Sequence, residues 1–173
     1  MNSTTLHSIS RPIFLSYSHN DREACITLRT SLQQAGLSVF QDEQAIRAGD
    51  QWLSRLQTAL SDCGAFIVLI GRDGIQRWVG AEVQVALNRY FSAHDAAQRL
   101  PIYPVLLPGA QREAIPPFLG LFQFSTWSAE QAVPSNLIEA IRIQQPLFEQ
   151  ARFEGCPYLG LSAFSRRDAP LFF

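Results

Sequence analysis

The apolar residues of this chain fall into short solid runs, separated by longer stretches with helical spacing. Pro12-Ile-Phe-Leu-Ser-Tyr17 reads as a buried strand, and Leu37-Ser-Val-Phe40, Ala65-Phe-Ile-Val-Leu-Ile70 and Pro101-Ile-Tyr-Pro-Val-Leu-Leu107 read as three more. Between the first two runs, Ala24, Leu28, Leu32 and Ala35 form one stripe of a helix. Ser18-His-Asn-Asp21 is placed to cap that helix and Gly36 to end it. Trp52, Leu53, Leu56, Leu60 and Cys63 give the inner face of a second helix, and residues 77–91 a third. Pro101 and Pro104 predict irregular ends for the fourth strand. After a proline- and glycine-rich loop over 108–121, residues 122–127 read as an edge strand and 135–145 as a closing helix.

Strand and helix thus alternate along the chain, which is the signature of a parallel sheet covered by helices on both faces. Five strands in this rhythm predict an α/β, flavodoxin-like sheet of order 2-1-3-4-5. Such sheets bind ligands beyond the carboxyl ends of their strands. The loops after the first, second and third strands are therefore where chemistry is sought.

Composition narrows the chemistry. All 14 basic residues are arginine, so the chain holds no lysine for a Schiff base, a phosphate-loop lysine or a Ser-x-x-Lys nucleophile. A net charge of −1 without a basic run argues against nucleic acid as a partner. No run has the roughly 18–20 apolar residues of a membrane span. Met1–Arg11 lacks the apolar core of a signal peptide, so the cytoplasm is the expected compartment. The three cysteines, Cys25, Cys63 and Cys156, lack metal-binding spacing and read as plain thiols. Residues 1–11 are polar and read as a flexible terminus, leaving 12–145 as one domain.

Just past the third strand, Trp78 and Glu82 stand four residues apart near the start of the third helix, on one face. An aromatic plate beside a carboxylate suits a flat cationic heterocycle carried on a sugar. Taken by themselves, the two residues read more readily as a core tryptophan and a solvated helix glutamate.

Four motifs in order turn that balance. Phe14-Leu-Ser-Tyr-Ser-His-Asn-Asp21, then Gly36-Leu-Ser-Val-Phe-Gln-Asp42 with Ile46-Arg-Ala-Gly-Asp-Gln-Trp52, then Val68-Leu-Ile-Gly71 through Trp78-x-x-x-Glu82, and finally Ile102–Gly109 resemble the sequence boxes of a bacterial TIR (Toll/interleukin-1 receptor) domain. The resemblance covers residues 11–145. A second likeness lies in the tail, where Gly155-Cys-Pro-Tyr-Leu-Gly-Leu-Ser-Ala-Phe164 is similar to the segment that leads into the nucleotide-binding module of STAND-type signalling ATPases. It implies that 146–173 are a linker and the truncated start of such a module, in the N-terminal part of a longer receptor.

The TIR resemblance implies cleavage of the bond between nicotinamide and ribose in NAD⁺, which is then substrate and not cofactor. Glu82 takes the catalytic role. Tyr17, Ser18, His19, Phe40, Asp42, Arg47, Gly71 and Trp78 are implied to line the NAD⁺ site. Gly49, Asp50 and Trp52 belong to the long loop that gates the pocket and makes TIR–TIR contacts, as a dimer or filament. Gly71 stands where many relatives carry serine, and the loop at His19 lacks the arginine that others place there. No metal is implied. A non-enzymatic TIR–TIR scaffold remains the alternative, and a sensor that binds nucleotide without cleaving it a third.

Overall fold

The structure is a computed structural model that describes residues 11–40, 52–128 and 133–150. Four strands form a single parallel sheet: β1 Ile13–Ser16, β2 Ala65–Ile70, β3 Ile102–Leu106 and β4 Ser125–Thr126, in the order β1-β2-β3-β4. Among the described residues, four α-helices flank it: α1 Arg22–Gln34, α2 Trp52–Asp62, α3 Arg77–Ser92 and α4 Ser135–Gln150.

The solid apolar runs are explained by burial on both faces. All six residues of β2 are buried. On one face Phe14, Phe66, Val68 and Ile70 pack with Leu56 and Leu60 of α2 and with Val79, Val83 and Ala86 of α3. On the other, Ile13, Leu15, Ile67 and Leu69 pack with Cys25, Leu28 and Leu32 of α1 and with Leu137 and Ile141 of α4. The period of two along each strand thus sorts the side chains between two helix pairs. Gly36 ends α1 at a φ of +80°, where its N–H donates to Gln33 O and that of Leu37 to Leu32 O.

Three expectations from the sequence change. Leu37–Phe40 is not a named strand: Val39 makes one isolated parallel bridge to Ile13. Two backbone bonds hold it, Ile13 N–H to Ser38 O at 2.8 Å and Phe40 N–H to Ile13 O at 2.9 Å. The run is only four residues long, enough for the bond pair around one β1 residue. The described sheet therefore has four named strands, with the single bridge at Val39 on the side of β1 away from β2; five strands in the order 2-1-3-4-5 are not shown.

The edge strand, expected over 122–127, shrinks to Ser125–Thr126. Alternation along β3 accounts for this. Leu107 N–H turns to Ile70 O of β2, whereas Leu106 O accepts from Trp127 N–H on the β4 side. Pro104 shares the parity of Leu106, so the position without an N–H faces β4, and pairing there begins only at Val105. Lastly, Leu53 was expected on the inner face of α2, but it is 45% exposed and the core of that helix is Leu56, Ala59 and Leu60.

Candidate active site

β1 ends at Ser16, and the chain turns through Tyr17 and Ser18 into a 3₁₀ turn, His19–Asp21, that leads directly into α1. β2 ends at Ile70, and a loop over 71–76 delivers the chain into α3. The two loops meet at the carboxyl edge of the sheet. Helical spacing aims Val79, Glu82, Val83, Ala86 and Leu87 inward, so α3 buries one carboxylate within an otherwise apolar stripe.

That carboxylate is 5% exposed and held at both oxygens. Ser16 Oγ–H donates to Glu82 Oε2 at 2.5 Å. The Trp78 indole Nε1–H donates to Glu82 Oε1 at 2.6 Å. Both distances are short, as expected when the acceptor is ionised. Burying a carboxylate without such partners is strongly unfavourable, so the two donors account for its place in the interior.

Trp78 is half-buried and its ring forms one wall of a cleft of about 320 Å³, with Tyr17, Ser18, His19, Asn20, Gln76 and Val79 as the remaining lining. Ser18 is buried, and its Oγ has no hydrogen-bond partner among the described residues. A buried hydroxyl without a partner is unusual and suits a ligand atom. Larger hollows exist elsewhere: about 440 Å³ beside Tyr90, Arg99 and Tyr103, and about 590 Å³ between Ala35 and α4. Neither is lined by Trp78 or by the unpartnered Ser18 hydroxyl, so the chemistry, and not the volume, picks the smaller cleft.

The structure thus brings together five residues singled out in the sequence: Tyr17, Ser18, His19, Trp78 and, behind Trp78, Glu82. Two others are placed differently. Phe40 is stacked on Phe14 at 5.6 Å between centroids, and Phe14 in turn on Phe66 at 5.7 Å, so Phe40 ends a column of core rings and does not line the cleft. Gly71 faces protein: a Cβ there would lie 2.7 Å from Asp21 Cγ. The close approach that the glycine permits is that of the Asp21 carboxylate.

Neither Ser18 nor Asp21 makes the expected side-chain cap on the helix that follows, the Asp21 carboxylate being turned toward Gly71. Burial, followed by the nearby charge of Asp73, raises the Asp21 carboxyl above the ordinary value of 3.8. Asn20 Nδ2 donates to Asp73 Oδ2 at 2.9 Å and ties the two loops together. Asp42, Arg47, Gly49 and Asp50 lie outside the described residues, and Trp52 is the first residue of α2. Among the described residues, no group of His, Cys, Asp and Glu could hold a metal ion, and no helix is long and apolar enough to cross a membrane.

Ser16 is the contact that sequence reasoning passed over. The signal was present: Phe14 and Ser16 share a strand face, and a serine on the buried face of an apolar run needs a polar partner.

The family model described as TIR domain matches residues 13–138. No curated protein matches the chain. Among solved structures, the TIR domain of the Toll-related receptor TRR-2 from Hydra magnipapillata is similar at 22% identity and a TM-score of 0.58, over 75% of this chain and 97% of that one. A metazoan TIR-STING receptor from C. gigas, solved with 2',3'-cGAMP, is similar at 20% identity and a TM-score of 0.59, over 77% of this chain and 39% of that one. At these identities the two structures speak to the fold.

Proposed function

The chain belongs to the TIR domain family, and from that premise we propose that it cleaves the nicotinamide–ribose bond of NAD⁺. The observation that carries this reading is the buried Glu82 carboxylate, fixed by Ser16 and Trp78 beside a cleft that Trp78 walls. The family includes NAD⁺-cleaving enzymes, and the chemistry asks for little more than such a site. In NAD⁺ the nicotinamide nitrogen is cationic. When the bond from ribose C1′ to that nitrogen breaks, the electron pair goes to the ring and nicotinamide leaves neutral. No general acid has to protonate it, unlike an ordinary glycoside that needs two carboxyl groups.

The positive charge that develops on the ribosyl group is met by the Glu82 carboxylate, a preorganised negative group in a water-poor setting. The Trp78 ring offers a π-face to the cationic nicotinamide, an attraction of about 0.5–2 kcal/mol. The Ser18 hydroxyl, with His19 beside it, supplies polar contacts to the rest of the dinucleotide. Water then attacks C1′ and loses a proton to give ADP-ribose, or an adenine nitrogen attacks in its place and closes a ring.

We place this activity in a bacterial receptor of the cytoplasm, where TIR–TIR contacts formed on clustering switch on NAD⁺ consumption in antiviral defence or regulated death. The tail likeness to STAND-type ATPases supports that setting, with the tail itself outside the described residues. The decisive experiment is to cluster the protein on a multivalent support, incubate it with NAD⁺, and measure nicotinamide against a Glu82→Ala control. Release by the wild type and none by the variant is expected. Equal release from both removes Glu82 from the mechanism.

A non-enzymatic interaction module is the competing reading, and the same bonds favour it in one respect. Both Glu82 oxygens are engaged within the protein, as a purely structural glutamate would be. Self-association without turnover under every clustering condition would establish that alternative.

A further inference from the structure

Ser16 is a hydrogen-bond donor within the core. We infer that it is the positioning residue that sets the Glu82 carboxylate in register with the cleft, an inference that rests on the NAD⁺-cleaving reading above. Trp78 and Glu82 belong to the same helix, one turn apart, so the bond between them orients the carboxylate relative to α3 alone. The outermost torsion of a glutamate is broad, and a donor on its own helix does not tie the carboxylate plane to the sheet.

Ser16 donates from across the interface, 66 positions away in sequence, and to the other oxygen. It is the last residue of β1, fully buried, on a strand paired in register to the buried β2. The residues that follow it directly, Tyr17, Ser18 and His19, line the cleft. The Ser16–Glu82 bond therefore references the carboxylate to the strand from which the opposite wall of the cleft is built. Two donors on two oxygens, one from each wall, fix its plane as well as its place. An apolar residue at this position would extend the Phe14 face without any such tie. Small displacements of a reacting group are costly, about a hundredfold in rate for about 1 Å.

The test uses the 173-residue chain, clustered as above, with three variants: Ser16→Ala, which loses the hydroxyl, Ser16→Cys, which puts a larger and weaker donor in its place, and Ser16→Thr, which keeps the hydroxyl. For Ser16→Ala the expected result is a kcat lowered by about tenfold to a hundredfold with KM within about twofold. Ser16→Cys should fall between, and Ser16→Thr should recover most of the rate. Should Ser16→Ala fail to fold, Cys against Thr carries the comparison. An unchanged kcat in a folded Ser16→Ala protein, or equal loss in all three variants, overturns the inference. A loss confined to KM also overturns it.

A second readout does not depend on turnover. The indole N–H resonance of Trp78, assigned by its disappearance in Trp78→Phe, should move in both Ser16→Ala and Glu82→Gln, because each alters the carboxylate that the indole touches. The substitution Thr27→Ala on α1 should leave it in place. If the wild type releases no nicotinamide, the enzymatic reading fails, and this resonance alone then decides whether Ser16 orients Glu82. A resonance that ignores Ser16→Ala refutes the positioning role.

Discussion

Replacing Trp78 with phenylalanine separates the two jobs assigned to that side chain. The ring stays as a wall, and the indole N–H on Glu82 Oε1 is lost. A hydrogen bond to a charged, buried acceptor contributes about 1.5–3 kcal/mol, and with Glu82 only 5% exposed, water does not replace the missing donor. For a chain of this size each kcal/mol shifts the melting point by about 2–4 °C, so a drop of about 3–12 °C is expected. The test is a double-mutant cycle with Glu82→Leu, followed by urea denaturation and far-UV circular dichroism. With leucine at 82 there is no acceptor left to lose, and removing an indole N–H deprived of its partner costs nothing or is slightly stabilising. Trp78→Phe should therefore destabilise by about 1.5–3 kcal/mol more when Glu82 is present than when it is absent, the lost ring packing being common to both. If the two losses agree within about 0.5 kcal/mol, the bond does not hold the site together and the account of the buried carboxylate falls.

Three further outcomes are expected. Gly71→Ala places a Cβ against the Asp21 carboxylate and should cost about 1–3 kcal/mol in chemical denaturation; a neutral result would mean that Asp21 moves aside freely. The raised Asp21 carboxyl binds its proton more tightly in the folded chain than in the unfolded one. Its contribution to stability is therefore full below 3.8 and declines as pH rises through the raised folded value. Asp21→Asn should accordingly gain stability over the wild type at neutral pH and lose that advantage in acid, and a urea midpoint difference independent of pH would contradict this. Finally, burial pushes the Cys63 thiol up to about 12, so iodoacetamide at a pH of about 8 should leave it untouched in the native protein and label it in urea. Labelling at equal rates in both states would refute its burial.

The layered α/β class, the four described helices and the longest strand were legible because their periods are plain: β2 is apolar at every position and α3 buries an inward stripe. What was lost at the sheet margins turned on backbone donors, which hydropathy does not register. Leu37–Phe40 has the right residues for a strand but forms one bridge, and β4 is cut short opposite the missing N–H of Pro104. In the site, the shared helical face of Trp78 and Glu82 could be read from their spacing. That Phe40 would stack into the core and Gly71 would face Asp21 depended on which neighbour reached each position first. No pattern within a single segment carries that information.

The wholly apolar β2 also bears on how the chain is made. Its partners in the sheet lie far away in sequence, Ala65 pairing with Ile13 and Phe66 with Ile102. Long-range parallel pairing of this kind forms slowly. A nascent chain that has emerged only as far as Ser92 already carries Ser16 and Glu82, yet β2 still lacks β3 and presents six apolar residues along an open edge. Such an edge is a template for pairing with another chain. The strand most deeply buried in the finished sheet is thus an aggregation hazard during synthesis, until Ile102–Leu106 arrives to cover it.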